Sequence, residues 1–231
     1  MVKYLLVGAG CLAVGFFVGF FVSNNINRNA GLSPNLSQNH PETSFPTQQT
    51  QVASVKEPSG AMMPDVTETI EKARKEPENF DAQIKAGEMY SQIQRADKAV
   101  EFFNTAAALK PTEYEKLVIL GNSYFDIREF EKAEPFYQQA LAKKADDVNV
   151  RTDLGITFVE RKTPDYDRAV KELQAVLNLN QKHEPAIYYL GIASFKKGDS
   201  ASAERYLAQL EQINPNSPIA GRLKQILAQK Q

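Results

Sequence analysis

The stretch YEKLVILGNSYFDIREFEKAEPFYQQALAKKADD, residues 114–147, decides the fold. It holds two apolar-periodic runs of helical length and period, separated by a short turn at REF (128–130). The first run carries Gly121, the second Ala133 and Ala140. The same layout extends outward in both directions. Gly87 and Gly155 lie 34 residues to either side of Gly121, and Gly191 follows after 36. Four segments align on these glycines: 80–113, 114–147, 148–183 and 184–217.

The small residues have a packing reason. Where two paired helices cross closely, a side chain would wedge them apart. Gly87, Gly121, Gly155 and Gly191 are placed for such a crossing, as are Ala99, Ala133, Ala169 and Ala203. Pro111 and Pro215 follow second helices and stop them, having no N–H and a ring that clashes with a continuing turn. One helix pair cannot bury its own apolar face, so the pairs must stack.

These positions resemble the tetratricopeptide repeat (TPR) family. The family's apolar-Gly pair matches Ala86-Gly87, Leu120-Gly121, Leu154-Gly155 and Leu190-Gly191 at positions 7 and 8. The aromatic at position 11 matches Tyr90, Tyr124 and Phe158, while Ser194 departs. Phe103 and Tyr137 fill position 24, where Leu173 and Leu207 are softer. The Trp usual at position 4 is absent throughout. The third repeat is two residues longer, and ERKTPDYDRA lengthens its inner turn. Before the first repeat, residues 65–79 read as half a repeat, with Val66, Ile70 and Ala73 on one face. After the last, Ser217-Pro218 opens a capping helix with an Ile219/Leu223/Ile226/Leu227 stripe over 218–231. The resemblance implies an all-α fold for 65–231: a right-handed α-solenoid of TPR helix pairs.

It also implies a concave groove lined by the first helix of each repeat. Carried over position by position, the groove set is Ile84, Glu88, Val118, Asn122, Phe125, Ile156, Val159, Tyr188, Ile192 and Phe195. The Lys and Asn that clamp a peptide carboxylate in one subfamily are missing, Asn122 apart. The groove reads as acidic at its first end and apolar at its last, suited to an apolar peptide segment.

The amino-terminal stretch KYLLVGAGCLAVGFFVGFF (3–21) allows three readings. GAGCLA fits a dinucleotide-binding turn, but the next acidic residue is Glu42 and no strand pattern follows. AGC (9–11) looks like the end of a lipoprotein cleavage site, but the apolar run continues past it to Val22, and a cleaved secretory signal needs a shorter run with a small-residue exit. The reading that fits best is a transmembrane helix over 4–22, uncharged and long enough to span. Lys3 before it favours a cytoplasmic amino terminus, which puts the repeats on the outer (periplasmic) face. Cys11, Gly15 and Gly19 recur every four residues and suit helix pairing, hence a homo-oligomer. Residues 23–64 are rich in Asn, Gln, Ser, Thr and Pro without apolar period, the composition of a disordered linker. The layout is similar to that of bacterial cytochrome c biogenesis proteins that join a membrane anchor to a TPR domain.

Composition narrows function further. Lys plus Arg is 27 and Asp plus Glu 28, so no field draws nucleic acid to the chain. The single cysteine excludes an internal disulfide and any CxxC site. No P-loop, HExxH or GxSxG occurs, and the only histidines are His40 and His183. His183 reads as part of a solvated turn. The expectation is a non-enzyme without metal or cofactor: a membrane-tethered scaffold with a protein or peptide partner, serving envelope protein assembly or maturation. The alternative is a self-assembling or complex-bridging structural protein.

Overall fold

The structure, a computed structural model, describes residues 64–229. Among these, ten helices and no strands are found. They are α1 (Pro64–Lys75), α2 (Phe80–Gln92), α3 (Ala96–Ala108), α4 (Tyr114–Asp126), α5 (Phe130–Lys143), α6 (Val148–Glu160), α7 (Tyr166–Leu179), α8 (Glu184–Lys196), α9 (Ser200–Ile213) and α10 (Pro218–Ala228). The stretch 4–22, with Cys11, Gly15 and Gly19, and residues 23–63 of the expected linker lie outside the described residues. Among those described, no helix is long and apolar enough to cross a membrane.

The helices pack as α2/α3, α4/α5, α6/α7 and α8/α9, and each second helix then meets the first helix of the next pair. The reason lies at the crossings. A Cβ on Gly121 would sit 2.5 Å from the Tyr137 ring, and one on Gly155 2.6 Å from Leu173 Cγ. Ala99, Ala133, Ala169 and Ala203 are fully buried. The fourth pair differs: Gly191 faces Leu223 of α10, which packs on both α8 and α9. Leu207 therefore does not take the place that Phe103, Tyr137 and Leu173 hold in the other pairs.

Two position-4 residues, where the family has Trp, perform an unexpected task. Gln83 is buried and donates from Nε2 to the carbonyls of Ala73 (2.5 Å) and Glu76 (3.1 Å). It thus adds donors at the end of α1, where the Glu76 carbonyl also accepts from the Asn79 N–H. Arg151 donates to the Ala145 carbonyl beyond α5 and to Glu172 on α7. The junctions also use first residues of repeats: the Tyr114 hydroxyl donates to Asp147, and Ser217 Oγ to Glu184. Ser217 starts α10 as expected, but its hydroxyl is committed to Glu184 and makes no cap hydrogen bond. His183 is no solvated turn residue. It is partly buried and caps α8, its Nδ1 accepting from the Ala186 N–H at 3.3 Å.

The longer turn of the third repeat is strapped to α5. Arg161 and Arg168 both reach Glu134, the Lys162 N–H donates to Glu131, and the two guanidinium groups lie over the Phe158 ring at 5.2 and 4.0 Å. Asp165 then caps α7.

Candidate functional site

The groove positions fall on α2, α4, α6 and α8, and the fold treats them unequally. Ile84, Ile156, Val159 and Ile192 are 6–9% exposed, already covered by their own chain. Val118, Asn122, Phe125, Tyr188 and Phe195 stay partly exposed, and Glu88 is exposed. The accessible apolar members are thus Val118 and Phe125 on α4, and Tyr188 and Phe195 on α8. Sequence period identifies a helix face; it does not say how much of that face the neighbouring repeat covers. Here α6 packs against α5, α7 and α8, and Thr152 through Val159 are all buried.

Phe125 and Asn122 are brought together by Tyr137. Its buried hydroxyl donates to Asn122 Oδ1 at 2.9 Å, and its ring meets Phe125 edge-on at 6.4 Å. Phe125 also meets Phe130 at 5.3 Å, and Arg128 lies over Phe130 at 5.0 Å. Tyr188 meets Tyr189 edge-on at 5.1 Å. Between these two aromatic groups runs the ion pair Arg128–Glu160, 3.3 Å.

The electrostatics follow the same residues. Burial pushes the Tyr137 phenol well up, and the charges of Asp153 and Asp126 add to it. Burial likewise raises Tyr189, with Glu160 the next contributor. Tyr188 is raised by burial against the opposing pull of Arg222. Arg222 of α10 is partly buried and lies close enough to Tyr188 to act on it. Tyr189, Asp153, Arg128 and Arg222 were absent from the position-based set. The buried carboxylate Asp153 was the one visible signal, a charge inside the apolar run TDLGITFV.

This geometry can be set beside known proteins. Family models described as Tetratricopeptide repeat match residues 80–113 and 117–146, and another of that description matches 161–227. The chain carries tetratricopeptide repeats. TPR proteins are typically non-enzymatic interaction modules, so the helix stack is that of a protein-interaction scaffold. YrrB, described as a TPR protein with an unusual peptide-binding site, superposes with TM-score 0.58 at 19% identity, covering 69% of this chain and 81% of that one. MamA (41-end) from Desulfovibrio magneticus RS-1 gives TM-score 0.55 at 16% identity, over 66% and 85%. At such identities the likeness is one of fold. The mitochondrial fission 1 protein of Yarrowia lipolytica (strain CLIB 122 / E 150) is 34% identical over 71 residues, 30% of this chain. That match spans about half the length of this curated relative, 46%.

Proposed function

We propose that this TPR scaffold is a membrane-tethered adaptor that holds an extended polypeptide segment along α4 and α8. The observation that carries the reading is the partial exposure of Phe125, Tyr188 and Phe195 on the inner positions, when their neighbours Ile156, Val159 and Ile192 are sealed. Aromatic side chains on a rigid helical frame give binding area at low entropic cost. The exposed carboxylates Glu88 and Asp126 and the partly exposed Glu160 border the same surface, and favour a segment with cationic residues beside its apolar ones. Membrane attachment through 4–22, with the repeats on the outer face and a role in envelope protein assembly or maturation, belongs to the same proposal. The uncharged length of that stretch supports it.

The test is crosslinking in intact membranes, followed by identification of the captured chain. A discrete client band that disappears in Phe125→Ala/Tyr188→Ala, with the helical circular dichroism unchanged, is expected. A ladder of self-crosslinked copies that survives the double substitution sinks the adaptor reading and favours the structural one. Protease cleavage of the repeats in intact cells without permeabilisation is expected. Protection there would overturn the outer placement.

A further inference from the structure

The four repeats provide their own template for a second site. In the second repeat, Tyr124 fills the slot between α3, α4 and α5. Its ring stacks on Phe136 (5.7 Å, 10°), meets Phe103 edge-on at 6.0 Å, and its hydroxyl donates to Asn104 of the preceding repeat at 2.9 Å. Tyr90 stacks on Phe102 in the same way, and Phe158 holds the slot in the third repeat against two guanidinium groups. In the fourth repeat the corresponding residue is Ser194. The residue corresponding to Phe136 is Tyr206, and the one corresponding to Asn104 is Gln174.

The ring is missing, and a cleft opens beside its position. Ser194, Gln174 and Tyr206, together with Val170, line a cleft of about 550 Å³ between α7, α8 and α9. That size falls within the roughly 300–1,000 Å³ of ligand sites. Ser194 is more than nine-tenths buried at the floor of the cleft. Tyr206 has no ring partner among the described residues. At the rim stand Lys197, which pairs with Asp167, and Arg205, which donates to Ser202. The lining carboxylate Asp199 is committed to capping α9.

We infer that this cleft is a vacated tyrosine slot that accepts a phenolic ring from outside. The ring would stack on Tyr206 as Tyr124 stacks on Phe136, and its hydroxyl would donate to the Gln174 amide oxygen as Tyr124 donates to Asn104. Lys197 is already paired with Asp167, so Arg205, in the field of Asp199, is the rim cation that can meet an acidic group next to the ring. The chemistry is that of a tyrosyl side chain flanked by carboxylates, or of a free phenol. The site shares no residue with the groove set on the first helices, and it stands whether or not a segment binds there.

The test uses the purified full-length chain, saturation-transfer NMR, and three probes: p-cresol, the capped peptide Glu-Tyr-Glu, and the same peptide with phenylalanine at its centre. Saturable binding of the tyrosine peptide is expected, about fivefold tighter than the phenylalanine peptide, the worth of one hydrogen bond. Ser194→Tyr restores the internal ring; it is expected to weaken binding at least tenfold and to raise the melting temperature. Gln174→Met keeps the slot and removes the amide, so the preference for tyrosine over phenylalanine should vanish. Binding of p-cresol with exclusion of the peptide assigns the site to free phenols, and binding of the peptide assigns it to a protein partner. No saturable binding of either, equal binding by wild type and Ser194→Tyr, or an unchanged preference in Gln174→Met overturns the inference.

Discussion

The second and fourth repeats have one blueprint and opposite interiors. In the second, Tyr124 is buried so fully that its phenol is pushed up to about 12, chiefly by burial, and Gly121 lies hard against Tyr137 of the partner helix. In the fourth, a serine replaces the ring, and Gly191 lies against a residue of the terminal helix α10 instead. The difference teaches that a repeat in a stack need not be a complete unit. It can leave a position unfilled if its neighbours supply enough contact.

The sharpest way to break this contrast is to make the second repeat resemble the fourth. Tyr124→Ser is expected to cost about 3–5 kcal/mol, the range for losing a large buried ring, read as a shift in urea midpoint at constant slope. The reverse change, Ser194→Tyr, should stabilise, so the two substitutions have opposite signs at equivalent positions. Next in size is Gly121→Ala, whose Cβ has no room beside Tyr137. It should cost about 1–3 kcal/mol, as overpacking does. Gly191→Ala meets the flexible end of Leu223 on a terminal helix and should cost less than Gly121→Ala in the same assay. If the two cost the same, the fourth pair is as rigid as the second.

A third prediction concerns the amino-terminal half repeat. Gln83→Leu removes the side-chain donor to the buried Ala73 carbonyl, while the Glu76 carbonyl keeps the Asn79 N–H. A loss of about 1–2 kcal/mol is expected, as for an unsatisfied buried group. It should be confined to α1 and read as faster amide exchange there, with α4 and α5 unchanged.

The smallest effect is on pH. The junctions before α6 and α8 are capped differently, by Asp147 and by His183. Burial lowers the His183 pKa below its usual 6.5, and its Nδ1 accepts a hydrogen bond only when unprotonated. The unfolded chain therefore binds the proton more readily than the folded one, and stability falls with pH in that window. The contribution of the neutral cap is complete above pH 6.5 and is lost as pH falls through the lowered folded value. In His183→Asp this imidazole-linked dependence between the folded value and 6.5 should disappear from a series of thermal melts.

Much of this fold can be read from the sequence, because the signals are local. The glycines at 34-residue spacing name the crossings, and the buried alanines name the contacts between partner helices. The exception at Ser194 was equally visible, but its consequence was not. Whether a missing ring leaves a cleft depends on whether Tyr206, Val170 and Gln174 move in, and that is settled by packing between repeats. The same limit applies to the groove. Ile156 and Phe125 both fall on inner positions by count, yet only Phe125 stays partly exposed, because α6 is covered by α5, α7 and α8. The capping roles of Gln83 and Arg151 were hidden for a related reason: their acceptors belong to the preceding repeat, at a separation no helical period encodes.

The strap on the third repeat's turn makes the stack mechanically uneven. Helix packing joins the second repeat to the third and the third to the fourth alike. The first of these seams is also laced by Arg161 and Arg168 on Glu134, Arg128 on Glu160 and Lys162 on Glu131. Across the second run Lys197 to Asp167 and Gln209 to the Gln181 carbonyl, and the buried Tyr189 lies in the field of Glu160 and Asp153. Pulled from its two ends, such a spring does not stretch evenly. The fourth repeat and α10 are expected to peel away first, while the laced second and third repeats stay wound.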